Sequence, residues 1–221
     1  MVQRLLLMLA IVPLAARGGV LAGELALSSS GRPLAAHAAR EAVVYFRPRA
    51  GHAGHLDPGV FEMRTAGKRF VPETLVVAVG SRVAFPNSDP ILHNVFSLSG
   101  RNSFDLGLLA QGEGGAHTFT RPGLVRVFCN VHHQMSGHVV VLDTPYVARP
   151  DADGRFTLDI PDGMSGELSI WHPRAALWRR TLTVARGQAR LQVAMALTRP
   201  RVPPHTNKLG RPYEQAGAYA P

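Results

Sequence analysis

The chain has 221 residues, 46% of them hydrophobic, which is enough apolar material for one or two packed domains. Lys and Arg outnumber Asp and Glu by 24 to 15. The excess is spread thinly: residues 58–143 hold seven basic and six acidic side chains, and no basic stripe is interleaved with aromatics, so a nucleic-acid partner is not expected. Cys129 is the only cysteine, which excludes a disulfide within the chain.

Residues 1–22 read as an export signal. Arg4 gives the positive start, residues 5–16 the apolar stretch, and Val20-Leu21-Ala22 a small-residue cleavage site before Gly23. Pro13 and Arg17 interrupt the segment, so its unbroken apolar run falls short of the roughly 20 residues a spanning helix needs. The expectation is a periplasmic protein, cut near Ala22, with no transmembrane span in its mature form. In an oxidising compartment an unpaired thiol is expected to be buried or bound to something.

Beyond the signal, Val-rich runs punctuated by Gly, Pro, Asn and Asp predict an all-β chain. Strands are expected around residues 24–27 and 42–46, separated by a turn at Gly31-Arg32-Pro33. Residues 50–57, with His52 and His55, read as a linker. From Phe70 to Leu142 short strands follow one another quickly. Leu75, Val77 and Val79 alternate on one face, Gly80-Ser81 turns the chain, and Val83 and Phe85 alternate again up to Pro86-Asn87. Residues 93–97 read as another strand. Across 124–129 the period of two puts Val125, Val127 and Cys129 on one face and Arg126 on the other, so Cys129 points inward at a strand end. Residues 139–142 follow as a strand. This spacing fits a Greek-key β-sandwich over 58–143. Asp89 precedes a proline and reads as turn chemistry.

After Pro145 the alternation resumes at Phe156/Leu158/Ile160, Leu168/Ile170, Leu182/Val184 and Leu191/Val193/Met195/Leu197. These residues are too few for a full sandwich alone, and so are those before Arg49. Together, residues 23–50 and 144–198 resemble the small transthyretin-like or carboxypeptidase-regulatory-like β-sandwich, split in sequence by the insertion of 58–143. Trp171, Trp178 and Tyr146 are expected in core or inter-domain packing. The tail 199–221 has five prolines, a net +3 charge and no apolar period, and is expected to be disordered.

The chemistry concentrates in Cys129-Asn130-Val131-His132-His133-Gln134-Met135 and in His93, thirty-six residues before the cysteine. One thiolate, two imidazoles and one thioether form the donor set of a mononuclear type 1 copper site, His₂Cys with a weak axial Met. His93, Cys129, His132 and Met135 are the expected ligands. The Cys-x₂-His-x₂-Met spacing lets one short loop aim three side chains at one point, while His93 supplies the remote ligand from another strand. His133 in place of Met135 would give a more tetragonal site.

These residues resemble the plastocyanin and amicyanin family of cupredoxins over roughly residues 60–143. The loop has the compact amicyanin spacing, Asn94 matches the Asn after the family's first ligand His, and Phe128 matches the aromatic before its Cys. The loop lacks the family's proline, and His133 and His138 add imidazoles nearby. The resemblance implies that Asn94 ties the His93 loop to the Cys129 loop by hydrogen bonds, and that the His132 ring edge reaches the surface and passes the electron. The layout of signal, copper unit and trailing sandwich looks like exported bacterial cupredoxins grouped with methylamine utilisation.

The expected function is therefore single-electron transfer between redox partner proteins, without enzymatic activity. The alternative is a module that binds and delivers copper. A Cys129–His132 nucleophile pair is disfavoured, because their spacing orients them poorly and no orienting acid is apparent.

Overall fold

The computed structural model describes residues 18–49 and 54–213. Apart from two short 3₁₀ turns, Ala36–Glu41 and Gly100–Asn102, their regular structure is all strand. No helix among them is long and apolar enough to cross a membrane.

The ends of the chain build one pair of sheets. Gly18–Ser29 is its hub, antiparallel to Arg155–Pro161 on one side and parallel to Leu191–Ala196 on the other. The facing sheet runs Val147–Ala148, Val43–Pro48, Ser165–Trp171, Trp178–Thr183. Leu21, Leu25, Phe46, Phe156, Ile160, Leu168 and Val193 fill the space between them. The turn before Arg155–Pro161 closes on Gly154 at φ +78°, where an added Cβ would lie 2.6 Å from the Leu25 carbonyl oxygen; only glycine fits.

One departure from expectation falls in this part. The expected cut near Ala22 lies inside the hub strand: Gly18 to Ala22 pair with Pro161 to Thr157, and Leu21 is fully buried. A cut there would remove five paired residues and one core side chain. The rest of the expected signal, 1–17, lies outside the described residues, as do His52 of the linker and the last eight residues of the tail.

The intervening segment builds a second pair of sheets. One has the order Phe104–Leu109, His93–Ser97, Gly123–Phe128, Ser136–Leu142, Thr74–Ala78; the other has Gly114–Thr118, Arg82–Pro86, Val60–Glu62. Their shared core includes Phe70, Val77, Phe85, Val95, Phe119, Val127, Cys129, Met135, Val139 and Val141. A third cluster joins the two pairs of sheets: Val43, Tyr45 and Trp171 from one, Val140 and Leu142 from the other. Val43–Pro48 and Ser136–Leu142 are therefore buried on both faces, which explains their unbroken apolar runs. Where the chain returns, Thr144 Oγ1 donates to the Phe46 carbonyl at 2.7 Å, and Arg47 pairs with Asp143 at 3.1 Å.

Residues 199–213 do not behave as the expected disordered tail. They lie against the second pair of sheets, with the His205 ring stacked on Phe128 at 4.0 Å and the Tyr213 ring tilted against His133 at 3.5 Å. Arg201 pairs with Glu73 at 3.1 Å. Lys208 donates from its backbone N–H to Asn130 Oδ1 at 3.0 Å and from Nζ to Asp105 at 2.8 Å. Aromatic stacking and single charged contacts hold this segment, and neither leaves an apolar period in the sequence.

Candidate metal centre

His93 opens the strand His93–Ser97, and Cys129 follows the last residue of Gly123–Phe128. The two strands are antiparallel neighbours with Phe128 opposite Phe96, so the start of one and the end of the other share one edge of the sheet. That topology brings side chains thirty-six residues apart together. The ligand loop then folds tightly: the His132 N–H points at Cys129 Sγ (3.4 Å), the Met135 N–H donates to the His132 carbonyl (2.9 Å), and the Cys129 N–H reaches the Met135 carbonyl (3.4 Å).

Three donor atoms result. Cys129 Sγ lies 3.7 Å from His93 Nδ1 and 3.9 Å from His132 Nδ1, and the two Nδ1 atoms are 3.2 Å apart. Bond lengths of about 2.0 Å from a first-row metal to nitrogen and about 2.3 Å to sulfur put trigonal donors about 3.5 and about 3.7 Å apart. The observed triangle fits such an ion. Among the described residues it is the only group of three His, Cys, Asp or Glu side chains so disposed. Cys129 and His93 are fully buried, while His132 is partly exposed. Burial above all, with the positive charge of Lys68 nearby, holds the His132 imidazole below its usual pKa, which favours the neutral ring a metal requires.

The fourth expected ligand, Met135, is buried in the same core cluster as Cys129 and sits at the close of the loop. His133 is exposed, its ring against Tyr213, and is outside the three-donor group. His138 is buried in an edge-on contact with Trp171, and His117 stacks on Phe104. His55 is exposed beside Asp57 at 3.2 Å.

Two neighbours of the site play parts other than those expected. Asn94 does not reach the Cys129 loop; its amide donates to Asp105 Oδ1 and to the Gly107 carbonyl, both at 2.7 Å, tying the His93 strand to its neighbour Phe104–Leu109. The tie to the Cys129 loop comes instead from the tail, through Lys208 and Asn130.

Asp89, expected only to shape a turn, holds the remote ligand. Its Oδ2 is 2.8 Å from His93 Nε2, which fixes the proton on Nε2 and leaves the Nδ1 lone pair facing Cys129. Asp89 is held in turn by the backbone N–H groups of Gly67 (2.6 Å) and Lys68 (2.9 Å), and its own N–H donates to Asn87 Oδ1. Burial alone would raise its pKa; the Lys68 and Gly67 N–H groups and the His93 ring outweigh that and keep it below the ordinary carboxylate range. The available signal was spacing: a carboxylate four residues before the ligand histidine.

No protein-family model matches the chain, and no curated protein does. Among solved structures it is similar to a purple cupredoxin from Nitrosopumilus maritimus, at 24% identity over 37% of this chain and 98% of that one, TM-score 0.33. It is similar to a copper-containing nitrite reductase from Thermus scotoductus at 26% identity, over 53% of this chain but only 28% of that one, TM-score 0.37. An oxidized amicyanin variant matches at 25% identity over 37% of this chain and 81% of that one, TM-score 0.35. The fold of the intervening segment is an all-β sandwich.

Proposed function

We propose that this protein is a periplasmic type 1 copper protein that carries single electrons between redox partners, with His93, Cys129, His132 and Met135 as ligands. The observation that carries the reading is the triangle of two Nδ1 atoms and one cysteine sulfur, formed with His93 and Cys129 buried. Copper held there supplies a Cu(II)/Cu(I) couple. The protein's own part is to keep the donors in one arrangement for both states. Asp89 fixes the His93 tautomer, the loop hydrogen bonds fix Cys129 against Met135, and the surrounding core limits water.

Burial of Cys129 and His93 favours electron transfer over delivery of the ion, since release would require the loop to open. Export is part of the proposal and rests on the composition of the N-terminal segment, with the cut placed ahead of Gly18 so that the hub strand stays whole. Membership of a methylamine-utilisation system rests on layout alone.

The test is titration of the metal-free chain with Cu(II), followed by visible and electron paramagnetic resonance spectra. An intense thiolate-to-copper band with narrow hyperfine splitting is expected, and Cys129→Ser should abolish it. Retention of the band in that variant would show that the sulfur is not a ligand.

A further inference from the structure

A cleft of about 960 Å³ opens at the junction of the two sandwiches, beneath the start of the tail. It is lined by Arg40, Arg149 and Arg174 from the small sandwich, by Lys68 and Met135 from the metal-bearing one, and by Pro200 to Val202 of the tail. Six cationic side chains and only two carboxylates line it. Glu73 is already shared by Arg69 and Arg201, and Glu41 faces His172 Nε2 at 3.8 Å. Among the described residues, Arg40, Lys68, Arg149 and Arg174 have no carboxylate within ion-pair distance.

The two central guanidinium groups are pinned, but by neutral acceptors. Arg149 donates to the Arg40 carbonyl (3.4 Å) and the Thr74 carbonyl (2.9 Å), and Arg174 Nε to the Arg199 carbonyl (3.3 Å). Backbone carbonyls orient these side chains without cancelling their charge, and each keeps N–H donors to spare. Six cations against two carboxylates leave an excess of positive charge lining the cleft, which focuses a positive potential there. Pro72, Pro173, Val202 and Met135 add apolar wall between them.

We propose that this cleft binds a small organic anion bearing two or more negative groups, such as a polycarboxylate or an organic phosphate. The volume exceeds what a bare inorganic ion needs and lies within the range of small-molecule sites. The cleft is walled by both sandwiches and the tail, and this concavity favours a small molecule over an acidic protein surface. The binding reading does not depend on copper, so it is tested on the metal-free full chain.

Calorimetric titration with citrate and with 2,3-bisphosphoglycerate, at constant ionic strength, should show one site per chain. Arg40→Glu and Arg174→Glu should each weaken it by roughly ten-fold or more, as expected for loss of a charge-assisted hydrogen bond. Arg180→Glu makes the same charge change on the exposed strand Trp178–Thr183 and should leave binding unchanged. Arg40→Gln and Arg174→Gln serve if a Glu variant does not fold. Hydrogen exchange of residues 200–213 should slow when citrate is bound, because the tail closes the site. Absence of binding by both anions would overturn the proposal, and so would equal weakening by Arg180→Glu. Tighter binding of a poly-glutamate peptide than of either anion would also overturn it, in favour of an acidic protein partner.

Discussion

At the scale of single residues, the buried carboxylate of Asp89 decides how the remote ligand presents itself. With Nε2–H held by Asp89 at 2.8 Å, His93 has one tautomer and one ring orientation, and its lone pair meets the sulfur. Removal of such a partner typically weakens metal binding about 10–100-fold. Asp89→Ala should therefore lower copper affinity by that order, measured by competition with a chelator of known strength. Asp89→Asn keeps an oxygen able to accept the Nε2–H and should fall between that variant and the parent. Equal affinities in all three proteins would show that His93 is held by its strand alone. The ligands themselves were legible in the sequence because each sits at a recognisable place: Cys129 at the end of an alternating strand, His132 and Met135 at short spacings after it, His93 at the start of another strand. Asp89 was not. A carboxylate before a proline is common in turns, and a single hydrogen bond across a loop leaves no periodic trace. Asn94 shows the reverse error: resemblance assigned it to the Cys129 loop, but the strand Phe104–Leu109 lies closer and takes both amide protons.

At the scale of elements, alternation revealed most strands, and both misplaced segments lie where alternation carries no information. Gly18 to Ala22 read as the end of an apolar leader because a buried strand and a leader share composition; only pairing with Thr157 to Pro161 separates them. A chain beginning at Gly23 should be less stable than one beginning at Gly18. Loss of the fully buried Leu21 side chain alone removes about 2–3 kcal/mol of apolar burial, before the lost strand pairing is added. Urea denaturation of the two proteins measures the difference, and matching midpoints would place the element boundary at Gly23 after all. The tail is the second case. Its hold rests on dispersed contacts, of which Lys208 to Asp105 is an ion pair near the ligand loop. Lys208→Ala should cost less than about 1 kcal/mol of global stability, as a partly exposed pair does. It should nevertheless speed amide exchange across residues 205–213 several-fold, read by mass spectrometry. Unchanged exchange would mean that stacking of His205 and Tyr213 suffices.

At the scale of the whole molecule, the two sandwiches meet through an apolar cluster with histidines at its margin. His138 packs edge-on against Trp171, and His172 is the next residue in the chain, itself almost fully buried. Burial, reinforced by the charge of Arg126, pushes His138 down to about 4; burial, reinforced by Arg174, pushes His172 down to about 4. Both rings are thus neutral in the folded protein, and both take up a proton near pH 6.5 once the chain unfolds. The unfolded state binds more protons between these values, so their stabilisation is complete above about pH 6.5 and is lost as pH falls towards 4. For His138 alone the loss is roughly 3 kcal/mol. Asp89, whose pKa is depressed, is lost in a separate window below about pH 4. Stability of the metal-free protein, followed by tryptophan fluorescence because Trp171 lies in the junction, should fall steadily from pH 6.5 to pH 4.5. His138→Gln cannot take up the proton and should flatten that slope while lowering the stability at pH 7. A slope that survives in His138→Gln and also in His172→Gln would place the acid-sensitive group outside the junction.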